Sequence, residues 1–314
     1  MKDIIRLIDQ ARNVTILPHI NADGDAIGSS MAMRRALRNM GKTAEIYTEE
    51  PVEKRLEFLD DGIKVYDGEA VSCDLCIVLD CGDQARMGKR IAIKAAAEKV
   101  VNIDHHKTNT NFGDAAYVDA DAAATGEILA RLFKEMSVKL DRDIARYLYT
   151  AICSDTGSFA YSNVSPKTFK TAAELISYDI DHAEITRLLF DCVDLNVELM
   201  RAELTERIKS YYDGRLRIVT ADEETVKKYG LKYEDTNNLI DLPRRIRGTE
   251  VAVTLKVYNG TIRASLRSNG DTDVASVALK FGGGGHTKAA GCDVAAESLE
   301  DAERLIVEAF KEVL

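Results

Sequence analysis

Four short segments of the sequence place carboxylates or imidazoles directly after an apolar run. They are His19-Ile20-Asn21-Ala22-Asp23-Gly24-Asp25, Leu79-Asp80-Cys81-Gly82-Asp83, Asn102-Ile103-Asp104-His105-His106 and Ile152-Cys153-Ser154-Asp155-Thr156-Gly157. The first three follow strand-like runs, and the carboxyl ends of parallel strands open on one edge of a sheet. These three segments are therefore expected to converge, and Asp155 would join them from the end of a helix.

The residue types in these segments predict a metal centre. At least four carboxylates cannot stay ionised together without cations, because like charges raise one another's pKa. Imidazole and carboxylate ligands suit first-row divalent ions, and this set is richer than one ion can use. Two ions about 3.5–4 Å apart, sharing one bridging carboxylate, would use all the ligands and would polarise a water for attack on a phosphoryl group.

The histidines support this interpretation. Of the five in the chain, those at positions 19, 105, 106 and 286 lie in segments with other chemically active residues, whereas His182 lies in a helical pattern without a partner motif. Asp23 and Asp25 taken alone would equally suit a turn that caps the helix beginning near Ile27. Their conjunction with the other three segments favours metal ligation.

Two further sets of residues are interpreted as not binding a metal themselves. Asp83 and Asp104 are interpreted as groups that orient a ligand. Cys73 and Cys76 form a C-x-x-C pair, but no second pair or nearby histidine completes a zinc site. We therefore expect ordinary buried thiols.

The run from Gly282 to Gly285, followed by His286, has two interpretations. Its composition suits a flexible linker. Consecutive glycines also let backbone N–H groups approach a phosphate or base closely. Nearby cations would then add donors for an anionic substrate, namely Lys288, Arg263 and Arg267. A further cluster, Arg244, Arg245 and Arg247, is interpreted as a solvated helix end.

Alternating apolar and amphipathic stretches in the first half predict a parallel α/β sheet with helices on both faces. The predicted strands are 14–20, 44–48, 75–79 and 99–103, and the predicted helices are 27–40, 86–97, 126–136, 142–152 and 166–177. Ser165 would cap the last of these helices. The stretch from Asp181 to Tyr212 contains neither Gly nor Pro and predicts a continuous helical connector.

The second half predicts a smaller α+β domain. Its signals are strands at 216–220, 251–258 and 261–267, a type I′ turn at Asn259-Gly260 and a helix at 274–281. We therefore predict a metal-binding domain over 1–190, a helical linker over 191–212 and a substrate-binding domain over 213–314.

Composition and charge narrow the classes of partner. The 314 residues favour two domains. With 42 Lys+Arg against 52 Asp+Glu, the net charge is −10, and an acidic surface does not hold a long polyanion by counterion release. Small anionic substrates remain possible. The absence of an export signal or of a long apolar run, and the sparse cysteines, predict a cytoplasmic protein that does not enter a membrane.

The motifs resemble those of the DHH phosphoesterase family. Asp104-His105-His106 matches its signature, and His19-x-x-x-Asp23-x-Asp25 matches its first motif. The second half resembles the DHHA1 domain in Ser265-Leu266-Arg267-Ser268 and in Gly282–His286. Within the family, the chain resembles the short two-domain members that act on short oligoribonucleotides and on 3′-phosphoadenosine-5′-phosphate (pAp).

The resemblance implies a role for each motif position. One ion would be held by His19, Asp23 and Asp80. The other would be held by Asp25, Asp80, His105 and Asp155, with Asp80 as the bridge. His106 would contact the scissile phosphate, so His106 and Asp80 are the expected catalytic residues. The residues expected to bind the substrate's terminal phosphate or base are Arg267, Ser268, Gly283, Gly284, Gly285 and His286.

The resemblance also implies an activity. We expect a hydrolase with two divalent ions, usually Mn²⁺ in this family, that cleaves short RNA to mononucleotides and pAp to AMP and phosphate. A cleft between the domains would measure substrate length. The expected partners are short RNA and small nucleotides, without long DNA or a membrane, and a homodimer is left open.

Three alternatives to this activity remain. The same site could degrade cyclic dinucleotides or their linear products pApA and pGpG. An inorganic pyrophosphatase of related fold is disfavoured, because the second domain has a glycine loop rather than a cage of lysines and arginines. A nucleotide sensor without catalysis is disfavoured by the complete ligand set. The sequence leaves the preferred base, the polarity of degradation and the physiological metal open.

Overall fold

The computed structural model describes residues 1–236 and 238–314, with Glu234 described by its backbone alone. The chain forms two compact units, Met1–Cys192 and Val193–Leu314. The strands of the first unit are β1 (Asn13–Leu17), β2 (Thr43–Thr48), β3 (Lys64–Val65), β4 (Leu75–Leu79), β5 (Lys99–Asp104) and β6 (Ala115–Val118). Its helices are α1 (Lys2–Gln10), α2 (Gly24–Asn39), α3 (Ile91–Ala96), α4 (Thr125–Glu135), α5 (Arg142–Asp155), α6 (Pro166–Ile176) and α7 (His182–Thr186).

The described strands of the first unit form one sheet in the order β3-β2-β1-β4-β5-β6, and every pairing is parallel. Strand β4 shows why the sheet forms, since all five of its residues are apolar and buried. Such a run suits a parallel strand that is covered on both faces. The strand order reverses direction between β1 and β4, and ligands bind outside the carboxyl ends of strands at such a switch point.

Helices cover both faces of this sheet, as the sequence predicts. Ile16 and Ile77 face the larger core, to which α2, α4 and α5 contribute. The neighbouring residues Leu17 and Val78 face a smaller core that includes Ile93 of α3. The free thiols of the C-x-x-C pair and of Cys81 are buried in that smaller core, which confirms the expected structural role of the pair.

The predicted start of α6 is confirmed, whereas the helix predicted over 86–97 is not continuous. Ser165 caps α6 by accepting hydrogen bonds from the backbone N–H groups of Lys167 and Thr168. The helix expected over 86–97 divides into a 3₁₀ segment, Gln84–Arg90, and α3. Gly88 interrupts it with φ of +58°.

The second unit contains a mixed sheet. Its strands are β7 (Lys209–Tyr211), β8 (Leu216–Ala221), β9 (Val251–Tyr258), β10 (Thr261–Ser268), β11 (Gly284–His286) and β12 (Ala289–Val294). Its helices are α8 (Leu195–Glu206), α9 (Glu223–Lys228), α10 (Asp241–Arg244), α11 (Val274–Leu279) and α12 (Leu299–Phe310). The strand order is β11-β12-β10-β9-β8-β7, and β8 pairs with β9 in parallel while the other described pairs are antiparallel. Positive φ at Asn259 and Gly260 confirms the predicted hairpin turn.

The prediction of one continuous helix from Asp181 to Tyr212 is wrong. The chain instead forms α7, a π segment (Arg187–Asp191), a break, α8 and then β7. Leu189 of the π segment packs in the core of the first unit, whereas Met200 of α8 packs in a core of the second unit. Because the two halves of the segment are buried in different cores, it does not form a single straight helix. No helix in the described part of the chain is both long and apolar enough to cross a membrane.

Candidate metal centre and substrate-binding residues

Asp80 lies at the centre of the cluster, directly after β4, and its side chain is buried. Its backbone has φ of +55°, an uncommon conformation for a residue other than glycine. The two carboxylate oxygens face different histidines. Oδ2 lies 3.6 Å from Nε2 of His19, and Oδ1 lies 3.5 Å from Nε2 of His105. Asp80 therefore joins two groups of donor atoms.

The first group consists of His19, Asp23 and Asp80, whose donor atoms lie within 4.8 Å of one another. Oδ1 of Asp23 is 3.8 Å from Nε2 of His19. The same oxygen accepts hydrogen bonds from the backbone N–H groups of Asp25 and Ala26 at the start of α2. Asp23 thus caps the helix and also faces the centre, so the two interpretations of this residue are compatible.

The second group consists of Asp25, His105 and Asp155. Nε2 of His105 lies 3.9 Å from Asp25 and 3.6 Å from Asp155. Asp155 is the last residue of α5, as predicted for a group that arrives from a helix end. Nδ1 of His105 lies 3.3 Å from the carbonyl oxygen of Ala122. A proton on Nδ1 would bond this carbonyl and leave Nε2 free to bind a metal.

His106 lies beside both groups and is oriented by Asp104. Its Nδ1 donates to Oδ1 of Asp104 at 2.7 Å and lies 3.7 Å from Oδ1 of Asp80. Asp104 is buried, and its second oxygen accepts a 2.6 Å hydrogen bond from Asn109. Although burial disfavours the charged form, these bonds lower the pKa of Asp104. The bond to Asp104 raises the pKa of His106, which favours the protonated ring.

The crowding of acidic groups shifts the pKa of several side chains. Burial, together with the charges of Asp80 and Asp23, raises the pKa of Asp155 to about 6. Burial and repulsion by the negative charges of Asp80 and Asp155 raise the pKa of Asp25 well above its usual range. Burial alone would lower the pKa of His19, but Asp23 and Asp80 raise it to about 10. Without metal, the cluster holds protons where cations would otherwise balance its charge. This donor set therefore fits divalent ions.

Thr125 is a residue of the site that the sequence analysis missed. As the first residue of α4, it donates its backbone N–H to Oδ2 of Asp25 at 2.6 Å and its hydroxyl to Oδ1 of Asp80 at 3.0 Å. Gly126 adds a backbone N–H to Oδ1 of Asp25. A single helix start thus fixes two carboxylates that lie 55 positions apart in the sequence. The only local signal was a threonine after Ala122-Ala123-Ala124, at the start of an amphipathic stretch.

Asp83 has a different role from the one expected. It is exposed, and its side chain accepts a hydrogen bond from the backbone N–H of Ala85 at 2.5 Å. It therefore caps the 3₁₀ segment that follows β4, where an N–H would otherwise lack a partner. Within residues 1–236 and 238–314, its side chain contacts none of the candidate metal-binding side chains.

The predicted substrate-binding residues of the second unit lie on neighbouring strands. Arg267 and Ser268 end β10, and Arg267 pairs with Ala289 of β12, which in turn pairs with His286 of β11. Burial, together with the charge of Arg244, lowers the pKa of Arg267. The hydroxyl of Ser268 is buried and has no hydrogen-bond partner among the described atoms. Arg267 and His286 thus lie at the same level of the sheet, on strands separated by β12.

The glycine run is not a flexible linker, because part of it forms β11. A Cβ at position 283 would lie 2.2 Å from the carbonyl oxygen of Gly291, and one at position 285 would lie 2.5 Å from that of Ala289. These two glycines permit close packing against β12. Gly284 has no described heavy atom within 4 Å of its Cβ position. Gly282 also has open space there, but its φ of +74° favours glycine, so the space beside Gly284 is the part of the run inside β11 that is open to a ligand.

Arg244 is only partly a solvated residue at a helix end. It ends α10 and donates from Nε to Asp241 at 3.0 Å. Its carbonyl oxygen accepts a hydrogen bond from Asn269, directly after β10. The positive charge of Arg244 also helps to lower the pKa of Arg267, after burial, which is the larger cause.

Comparisons with known proteins identify the same two domains that these motifs resemble. The sequence profile of the DHH family, N-terminal domain, matches residues 13–152, and that of the DHHA1 domain matches residues 219–312. The chain is 31% identical over 306 residues to the bifunctional oligoribonuclease and PAP phosphatase NrnA of Thermus thermophilus, with 96% of this chain and 90% of that protein covered. The chain belongs to the DHH family. The resemblance of its motifs to that family is confirmed.

One further relative and one solved structure match this chain over nearly its full length. The protein of the same name from Bacillus subtilis is 28% identical, with 98% of this chain and 96% of that protein covered. An exopolyphosphatase-related protein from Bacteroides fragilis has a crystal structure that matches with a TM-score of 0.92 at 23% identity, covering 99% of this chain and 95% of that one. At that identity, the structural match shows the fold alone.

Proposed function

We propose that this protein is a phosphoesterase that cleaves short oligoribonucleotides to mononucleotides and converts pAp to AMP and phosphate. The observation that carries the proposal is Asp80, whose two oxygens face two different histidines at 3.6 and 3.5 Å. This arrangement suits a bridging carboxylate between two ions. The similarity to NrnA over 96% of the chain supports the choice of substrates.

The residues present fit two divalent ions. His19, Asp23 and Asp80 would hold one ion, and the second would be held by Asp80 together with Asp25, His105 and Asp155. Mn²⁺ is the ion that we propose, because the resemblance to the DHH family implies it, and a ligand set in which oxygens outnumber nitrogens agrees with that choice. When bound, such a pair would activate water and neutralise charge on a phosphate.

His106 is proposed as the group that contacts the scissile phosphate and protonates the leaving oxygen. Because its Nδ1 proton is donated to Asp104, Nε2 of the ring is left for the substrate. The raised pKa keeps this ring protonated at a higher pH than an ordinary histidine. A protonated imidazole at this position can donate to an alkoxide as the P–O bond breaks.

The second unit is proposed to bind the rest of the substrate. Arg267 supplies a charge that suits a terminal phosphate. The hydroxyl of Ser268, which lacks a partner among the described atoms, and the open side of Gly284 suit further polar contacts. In this proposal, the acidic first unit cleaves the phosphoester bond, and the second unit selects short, anionic substrates.

A substrate panel with Mn²⁺ tests the proposal. The panel compares pAp, RNA dimers to pentamers, a long single-stranded RNA, single-stranded DNA, cyclic dinucleotides, pApA and pyrophosphate. We expect turnover of pAp and of the shortest RNAs, with little turnover of long strands. Turnover confined to cyclic dinucleotides and pApA would favour the alternative phosphodiesterase, and binding without any turnover would favour a nucleotide sensor.

A further inference from the structure

Arg86 lies against the candidate metal centre and has no role in the account so far. Its Nη2 is 3.0 Å from Nδ1 of His19. The backbone fixes this proximity, because the N–H of Ile20 donates to the carbonyl oxygen of Arg86 at 2.8 Å. The residue is exposed and lies in the 3₁₀ segment that follows β4.

The contact between Arg86 and His19 conflicts with metal binding. Nδ1 of His19 also lies 2.6 Å from the carbonyl oxygen of Ile20. If Nε2 binds a metal, Nδ1 carries the ring proton and donates it to this carbonyl. A guanidinium N–H cannot then donate to Nδ1, because both groups are donors. The side chain of Arg86 must therefore find another acceptor when the site is loaded.

Charge indicates which acceptor Arg86 would find. Two divalent ions balance the four carboxylates of the proposed ligand set, so the charge of a phosphate substrate needs a further cation. Arg55, which also lies near Asp23, is already bonded to Glu53 at 2.8 Å. Arg86 has no carboxylate within ion-pair distance among the residues that the structure describes. It is thus a cation at the centre without an anionic partner.

We propose that Arg86 binds a non-bridging phosphate oxygen of the substrate on the His19 side of the centre. The inference rests on the proposed function, because it assigns a substrate contact within that site. Arginine suits the role, since its planar guanidinium donates in pairs to phosphate oxygens. The exposed side chain and the backbone bond to Ile20 let the guanidinium move while its Cα stays in place.

Three variants test the proposal: Arg86→Ala, Arg86→Lys and the control Arg142→Ala. Arg142 is an exposed arginine at the opposite end of α5 from Asp155, about 20 Å along the helix. For each protein, calorimetry measures the affinity for Mn²⁺ alone and then the affinity of the Mn²⁺-loaded protein for AMP. Steady-state hydrolysis of pAp gives KM and kcat.

We expect Arg86→Ala to weaken AMP binding and raise KM about tenfold or more, with Mn²⁺ affinity no weaker than in wild type, because the substitution removes a contact that competes with metal binding. Arg86→Lys should recover part of this loss, and Arg142→Ala should behave as wild type. Unchanged AMP binding in Arg86→Ala would overturn the proposal. Weaker Mn²⁺ binding would also overturn it, because Arg86 would then support His19. A wild-type protein that binds AMP through Arg86 but hydrolyses nothing would overturn the proposed function alone.

Discussion

The two units hold their functional residues in opposite ways. In the first unit, the six candidate metal-binding side chains are buried or half-buried, and Thr125 fixes two of them, Asp25 and Asp80. In the second unit, His286 is exposed, and the side chain of Arg267 makes one hydrogen bond among the described residues, to the carbonyl oxygen of Leu266. Rigid placement suits metal ions, which require fixed ligand geometry, whereas a substrate that varies in length is better bound by less constrained side chains.

The same contrast appears in the electrostatics. The first unit gathers carboxylates that raise the pKa of Asp25 and Asp155. In the second unit, burial and the positive charge of Arg244 lower the pKa of Arg267. Each cluster is unfavourable by itself, and we propose that a ligand of opposite charge relieves it, a cation in the first case and a phosphate in the second. Substitutions in the two units should therefore change different measured quantities.

The largest effect is expected from Asp80→Asn. The amide keeps the shape of the side chain but removes the negative charge that Asp80 contributes to both groups of metal-binding donor atoms. We expect turnover of pAp to fall on the order of 10³-fold and the metal content to fall from two ions to at most one. Calorimetric titration with Mn²⁺ and steady-state kinetics measure the two effects. Retention of two ions with near-normal turnover would remove the bridging role.

Thr125→Val should have the next largest effect. It removes the hydroxyl that donates to Asp80 and keeps the backbone N–H that donates to Asp25. We expect Mn²⁺ affinity to fall by about 10- to 100-fold, the usual range for residues that orient metal ligands. Thr125→Ser keeps the hydroxyl and is the matched control. Equal Mn²⁺ affinities for the valine and serine variants would show that the hydrogen bond from Thr125 to Asp80 does not contribute to Mn²⁺ binding.

Asp104→Asn should change the pH dependence of turnover more than metal affinity. The variant loses the charge that raises the pKa of His106, so the ring loses its proton at a lower pH. Because the protonated ring is the proposed donor, kcat should fall by about tenfold near neutral pH. The decline of kcat with rising pH should also begin at a lower pH than in wild type. A profile with the wild-type midpoint would contradict the donor role of His106.

The smallest effect is expected in the second unit. Arg267→Ala should raise KM for pAp about tenfold and leave kcat and Mn²⁺ affinity within about threefold of wild type. Arg263→Ala is a control on the same strand, because Arg263 lies 3.5 Å from Asp293 and has a partner of its own. A loss of Mn²⁺ affinity in Arg267→Ala would remove the proposed division of roles between the units.

The sequence predicted that the candidate metal-binding residues lie together, and the structure brings them together, because several of their positions depend on strand ends. His19, Asp80 and His105 follow apolar runs, and parallel strands bring such positions to one edge of a sheet. Thr125 was missed because its importance depends on contacts with residues 45 and 100 positions away. No local pattern distinguishes it from an ordinary residue at a helix start.

The errors in the fold have similar physical causes. Gly284–His286 forms a strand although glycine disfavours strands, because close packing against β12 decides the conformation there. The segment from Asp181 to Tyr212 has the composition of a helix, but its halves are buried in different cores. In both cases, tertiary packing overrides the local preference of the sequence.

The most direct test of the proposed dimetal centre is anomalous diffraction from crystals grown with Mn²⁺. We predict two peaks about 3.5–4 Å apart. One peak should lie beside Oδ2 of Asp80 and His19, and the other beside Oδ1 of Asp80 and His105. A single peak, or two peaks that do not share Asp80, would contradict the account.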